Sequence, residues 1–269
     1  MAPLLLGAAL LAGCQTPGPA AGDIGVAQTG AEASRVLAPT GVLRIAVYPG
    51  SPTSLVRRPG SDEVRGLSVD IGRELALHLG VPAQIVEFER VEQVIESLRA
   101  GRADMTITNA TAARAVLVDF SEPLVALELG YLVLSDSPVT TMADIDRAGI
   151  RVGVSQGSSS QAALGRAYRH ASLVAAPSLD AAAGMLRDRR IDAFATNKGI
   201  LFQLADGLPA ARVLEGRWGI ESLAIAFPKD RERGRDYLGR FAVSVRKQGL
   251  VQRAAERAGL RGLAEPEAR

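Results

Sequence analysis

Short apolar runs closed by Gly or Pro alternate with stretches whose apolar residues recur at helical spacing, and this alternation limits the chain to a layered α/β architecture. The first run, residues 42–47, ends at Pro49 and Gly50 and reads as a buried strand. Residues 68–79 then place Ile71, Leu75 and Leu79 on one helical face, with Ser68 or Asp70 available as the N-cap and Gly80 and Pro82 as the stop. A strand at 84–88 follows, then a helix with Val91, Val94, Ile95 and Leu98 on one face, stopped by Gly101, and a short strand at 104–108. A second unit of the same kind begins at a strand over 149–154, with a turn at 157–160, a helix at 161–168, a helix at 178–188 and a strand at 191–195. Strands alternating with helices predict a largely parallel sheet in each of two lobes.

The apolar stretches Leu127 to Leu134 and Leu223 to Phe227 flank the second unit and are long enough to cross between lobes as hinge strands. The expected division places lobe 1 at 41–128 plus 225–263, lobe 2 at 129–224 and a C-terminal tail at 264–269. Helices at 236–247 and 250–258 should pack back on lobe 1.

The start of the chain carries a targeting signal. An apolar stretch from Pro3 to Leu11, too short to span a bilayer, runs into Leu11-Ala12-Gly13-Cys14. It reads as a signal peptide over residues 1–13, although no Lys or Arg precedes the apolar run. Cys14 is the only cysteine, which excludes an internal disulfide and a thiolate metal cluster. The segment resembles the bacterial lipobox, which implies lipidation of Cys14 and a membrane anchor. Residues 14–40, rich in Gly, Pro, Ala, Thr and Gln, read as a flexible tether.

Enzyme motifs are missing. His78 and His170 are the only histidines, neither stands in a metal-ligand spacing, and no nucleophile elbow, phosphate loop or dinucleotide fingerprint is present. No metal, no cofactor and no catalytic residue is expected. A net charge of +2, with basic residues spread along the chain, gives no support to nucleic-acid binding.

Two segments are suited to hold an anion. Thr108-Asn109-Ala110-Thr111 leads into Arg114, whose planar fork matches a carboxylate with two charge-assisted hydrogen bonds. Gln156-Gly157-Ser158-Ser159-Ser160 offers hydroxyls and amides at a helix start. Taken singly, Thr111 and Ser158 also read as ordinary helix caps and Arg114 as a surface charge.

The order and spacing of several strings bear on that choice. Gly66-Leu67-Ser68-Val69-Asp70, residues 97–104, Thr111-Ala112-Ala113-Arg114, residues 118–123, Val154-Ser155-Gln156-Gly157-Ser158 and Arg190-Ile191-Asp192-Ala193 together resemble the family 3 bacterial extracellular solute-binding proteins over roughly 42–262. The resemblance implies a type II periplasmic-binding-protein fold, two α/β lobes joined by two crossover strands with a ligand cleft between them. It implies a monomer in the periplasm or at the cell surface that delivers a small carboxylate-bearing molecule, such as an amino acid, to an ABC transporter permease. In that family the arginine matching Arg114 pairs with the ligand's α-carboxylate, and the positions matching Asn109 and Ser159 hold the ligand from either side. Asp70, Asp104, Asp119 and Asp192 read as caps and turn formers.

Two departures bear on the ligand. The family usually carries an aspartate for the α-ammonium where this chain has Asn197, with Lys198 beside it. The usual stacking aromatic is replaced by Ser51, leaving Tyr48 as the nearest ring. The expected ligand-binding set is Arg114, Asn109, Thr111 and Thr108 with Tyr48 on one side and Ser158, Ser159 and Asn197 on the other. Trp218, Glu215 and Glu221, near the second crossover, read as hinge braces.

Overall fold

The computed structural model describes residues 32–58 and 60–264. Cys14, the signal peptide, the first part of the expected tether and the tail beyond Ala264 lie outside the described residues. The end of the expected tether is not a linker: residues 32–37 form a helix, α1, and Ala33, Leu37 and Ala38 are buried in the core of lobe 1. Three apolar residues seated against a core anchor a segment whose composition alone suggests solvent.

Lobe 1 begins with β1 (Leu43–Val47), two short strands β2 (Val56–Arg57) and β3 (Val64–Arg65), helix α2 (Leu67–Leu79), β4 (Ala83–Glu87), α3 (Val91–Arg99) and β5 (Thr106–Asn109). β1 pairs in parallel with β4 and is bridged to the start of β5 through Ile45 and Met105. The N-cap of α2 is Gly66, not Ser68 or Asp70. Gly66 has φ +148°, and a Cβ there would lie 2.1 Å from the Ser54 carbonyl oxygen, so only glycine fits. Ser68 is instead buried, accepting from the Ile107 amide at 3.0 Å, while Asp70 pairs with Arg257 of the C-terminal helix at 3.1 Å.

A short helix α4 (Ala112–Ala115) leads into β6 (Val118–Leu134), a single strand of 17 residues. Lobe 2 follows with β7 (Arg151–Ser155), α5 (Ser159–Ala167), β8 (Ser172–Ala176), α6 (Leu179–Arg187), β9 (Ala193–Asn197), α7 (Lys198–Gly207) and β10 (Ala211–Val213). The chain returns through β11 (Gly219–Pro228) to α8 (Arg235–Lys247) and α9 (Leu250–Arg257), whose Leu238, Phe241, Val245 and Val251 join the lobe 1 core.

The sheet order β5-β11-β6-β9-β7-β8 runs through both lobes. β7 is parallel to β8 and β9, as the alternating pattern predicts, but β11 is antiparallel to β5 and β6, and β6 to β9. Antiparallel pairing is forced where one strand leaves a lobe and the other returns. Leu129 is the changeover: it faces Gly219 on the returning strand and Asn197 of lobe 2. Leu223 already pairs with Asn109 of β5, so the return to lobe 1 begins two residues before the expected boundary at 225.

Asp104 and Asp192 are not turn formers. Asp104 accepts from the backbone amide of Arg44 at 2.7 Å and from its guanidinium, and Asp192 does the same to Arg151 at 2.8 Å. In both lobes the arginine also donates to a carbonyl three residues before the aspartate, Gly101 or Arg189. Each lobe thus ties the start of its first strand to the start of a neighbouring strand with the same clamp. Asp119 likewise serves ion pairs, with Arg235 at 2.9 Å and Lys229 at 3.7 Å.

Candidate ligand-binding site

β5 ends, α4 begins and β11 passes beside them at the floor of the cleft, and this junction carries Arg114. Thr111 caps α4 by accepting from the Arg114 amide at 3.2 Å, which turns the chain and sends the Arg114 side chain inward. Its Nη1 donates to Thr108 Oγ1 at 2.6 Å and to the Asn109 carbonyl at 3.3 Å. Among the described residues, nothing in the protein engages Nη2 or Nε. The side chain is buried, and loss of hydration pulls its pKa below the ordinary guanidinium value. A buried cation with one arm fixed, the other without a partner among the described residues, and its side chain in a cavity wall is prepared for an anion.

The cavity lies between the lobes and measures about 40 Å³, room for the centres of a few waters at roughly 10–15 Å³ each. Lobe 1 contributes Tyr48, Thr53, Thr108, Asn109 and Arg114, and lobe 2 contributes Ser155, Ser158, Ser159, Ser160, Ser178, Thr196 and Asn197. The lobes touch: Asn109 Nδ2 donates to Ser159 Oγ at 3.2 Å across the cleft. Gly157 packs so tightly on α3 that an added Cβ would lie 2.5 Å from Glu92 Cβ. This is a closed arrangement around a small space.

Of the expected site residues, Tyr48, Thr108, Asn109, Arg114, Ser158, Ser159 and Asn197 line this cavity. Thr111 lines instead an adjoining groove that shares Asn109, Arg114, Ser158, Ser159 and Ser160 with the cavity, and its Oγ1 accepts from the Arg114 amide in the α4 cap while its O–H remains able to donate. Ser158 Oγ accepts from the Gln161 amide at 3.1 Å as the N-cap of α5, which leaves its O–H to donate into the cavity. Ring stacking is not excluded by the loss of the usual aromatic, because Tyr48 reaches the cavity while Ser51 is buried against Thr53 at 2.8 Å.

Asn197 lines the cavity with one lone pair of its amide oxygen already used, since it caps α7 by accepting from the Ile200 amide at 3.0 Å. Its Nδ2 donates to Glu221 Oε1 at 2.8 Å. Glu221, expected to brace the hinge, is buried in the cavity wall. Burial pushes its pKa up to about 7, opposed by the nearby Arg114 guanidinium and by the Asn197 hydrogen bond. Sequence patterning missed it because Glu221 sits on the returning strand, distant in sequence from both anion-binding segments. Its one visible signal is a carboxylate inside a strand-forming run, Gly219-Ile220-Glu221-Ser222-Leu223. Trp218 does brace the hinge, donating to the Gly130 carbonyl at 3.0 Å, and Glu215 is exposed. Lys198 adds no free charge to the cavity, since it pairs with Glu128 at 2.6 Å.

The model of the bacterial extracellular solute-binding proteins, family 3, matches residues 43–259. The chain belongs to that family. This solute-binding protein shares the type II periplasmic-binding-protein fold with solved structures of low sequence identity. The solute receptor for L-cysteine of Neisseria gonorrhoeae is 24% identical, with 87% of this chain and 99% of that one covered and a TM-score of 0.75. AbpA, an amino acid ABC transporter substrate-binding protein from Streptococcus pneumoniae bound to L-arginine, is 20% identical over 82% of this chain and 96% of that one, with a TM-score of 0.74. The ancestral amino acid-binding protein AncCDT-1, a precursor of cyclohexadienyl dehydratase, is 21% identical over 82% and 96%, with a TM-score of 0.71. Among the described residues of the solute-binding protein, no helix is long and apolar enough to cross a membrane.

Proposed function

We propose that the protein captures a small carboxylate-bearing solute, an amino acid or a related compound, by closing its two lobes, and delivers it to the permease of an ABC-type importer. The observation that carries this reading is the buried Arg114 guanidinium in the cavity wall, fixed by Thr108 through Nη1 and, among the described residues, without a hydrogen-bond partner on Nη2 or Nε. The cross-cleft bond between Asn109 and Ser159 supports closure as the signal, since a ligand bridging two lobes stabilises the form in which they meet. Solute binding by the family and the amino acid named for two of the solved structures support the ligand class.

A thermal-shift screen of amino acids, keto acids and small organic acids identifies the ligand, and calorimetry on Arg114→Ala tests the site. Removing the partner of a buried carboxylate should cost about 2–5 kcal/mol of binding. Unchanged affinity would remove Arg114 from the site. Lipid anchoring through Cys14 belongs to the same reading, and mass spectrometry of the mature N-terminus tests it.

A second reading, an acid–base enzyme on the same scaffold, is favoured by one observation: Glu221 is a buried carboxyl with a pKa near neutrality in the cleft. Incubation of purified protein with its ligand, followed by NMR, separates the two, since a binding protein returns the ligand unaltered.

A further inference from the structure

The cavity holds two buried groups of opposite charge that feel each other's field without forming an ion pair. Arg114, on α4, presents Nη2 and Nε. Glu221, on β11, has Oε1 held by Asn197 and, among the described residues, no protein donor on Oε2. Here Arg114 is tied back by Thr108 and Asn109 on one side of the cavity, and Glu221 by Asn197 on another. Both line the same cavity, which suits a small molecule that brings both complementary charges with it.

We infer that Glu221, and not Asn197, receives the ligand's cationic group, so that the site selects an α-amino acid zwitterion over a plain carboxylic acid of the same shape. The inference rests on the reading above in which Arg114 takes the carboxylate. Asn197 keeps a part in this arrangement as a positioning residue, because its oxygen accepts the α7 cap bond and its nitrogen aims Glu221. The negative charge has thus moved from the β9–α7 junction to the returning strand, where closure brings both lobes against it.

The placement gives binding a definite proton sign. The other titratable groups around Glu221 are Arg114, Tyr48 and, also in the cavity wall, Glu89 and Arg90, which pair with each other at 3.6 Å. Burial raises the Tyr48 pKa, so it stays neutral and does not titrate in the neutral range. Glu221 is therefore the group that changes state there. A ligand ammonium in direct contact with Glu221 favours its charged form more strongly than the ligand carboxylate, acting through Arg114, opposes it, so a zwitterion releases a proton on binding and its affinity rises with pH through about 7. A plain carboxylate does the reverse. It screens Arg114, the one cation holding the Glu221 pKa down, and so takes up a proton.

The test is calorimetry on the whole protein at pH 6 and pH 8, in buffers of different ionisation heat. The probes are the L-α-amino acids and, for whichever binds, the matching 2-hydroxy acid. The expected result is proton release and roughly tenfold tighter amino-acid binding at pH 8 than at pH 6. The hydroxy acid should bind at least about 30-fold more weakly than the amino acid. Glu221→Gln, which keeps the size and can still accept from Asn197, should abolish both the pH dependence and most of the discrimination while leaving carboxylate binding through Arg114. Equal affinity for the two probes, proton uptake with the amino acid, or discrimination that survives Glu221→Gln overturns the inference and leaves the carboxylate reading standing. If no carboxylate binds in an Arg114-dependent way, the inference falls together with the reading beneath it.

Discussion

Arg114 and Glu221 show how a residue's chemistry is set by what its neighbours withhold. Thr108 and Asn109 satisfy one arm of the guanidinium and leave the other without a partner among the described residues, while Asn197 satisfies one carboxylate oxygen of Glu221. The free protein carries a cost for this arrangement. A carboxyl whose pKa is raised from 4.5 to about 7 on folding binds its proton more tightly when folded, so its full stability is present below pH 4.5 and is lost as pH climbs towards 7. At 1.36 kcal/mol per unit, the loss is on the order of 3 kcal/mol. Glu221→Gln has no charge to bury, so its stability relative to wild type, read from urea denaturation without ligand, should rise between pH 5 and pH 8. A constant difference across that range would show that Glu221 does not titrate there. Arg114 was legible in the sequence because a threonine cap and an arginine lie within one short string. Glu221 was not, because its partners stand 24 and 107 residues away, at Asn197 and Arg114.

Among the elements, the two strand clamps have one geometry and unequal environments. Asp104 is shut off from solvent and serves two arginines, Arg44 and the buried Arg231, both at 2.7 Å. Among the described residues Asp192 serves Arg151 alone, and their side chains are 25% and 42% exposed. Removing a buried partner strands uncompensated charge, whereas an exposed pair is screened by water. Asp104→Ala should therefore lower unfolding stability by about 3–5 kcal/mol, and Asp192→Ala by about 1 kcal/mol or less, both read by chemical denaturation. Comparable losses would contradict the burial argument. Helical periodicity gave α2, α3 and α6 to within a residue or two, and Ser178, the first residue of the expected helix, is the N-cap of α6. The pattern was silent on β8 and α7, and it could not distinguish the docked helix α1 from a linker, because three small or apolar residues acquire meaning only against a core that lies elsewhere in the chain.

For the whole molecule the question is closure, and Gly157 is where it can be probed from outside the cavity chemistry. Its φ of +69° makes any side chain strained in every state, at about 1–2 kcal/mol. The contact of an added Cβ with Glu92, in contrast, exists only when lobe 2 meets α3. Gly157→Ala should thus lower unfolding stability modestly and, separately, weaken ligand binding. Both are measurable on one preparation by denaturation and calorimetry, and affinity equal to wild type would mean that the lobes do not need this contact to close. The crossing strands make such motion feasible, since β6 and β11 are the shared spine on which Leu129 passes from one lobe's pairing to the other's.

The sequence by itself determined the layered α/β class, the two lobes, the crossing strands and the arginine with its threonine-rich string, because periodicity, turn residues and short motifs are local properties of a chain. The family's order of motifs was legible for the same reason. Only the tertiary structure decided how each polar group is engaged: Thr111 Oγ1, Ser158 Oγ and Asn197 Oδ1 each accept a helix-cap bond, and Glu221 arrived from the returning strand to line the same cavity as Arg114. Hydrogen-bond satisfaction and desolvation depend on every neighbour at once. Neither can be read from a residue's position along the chain.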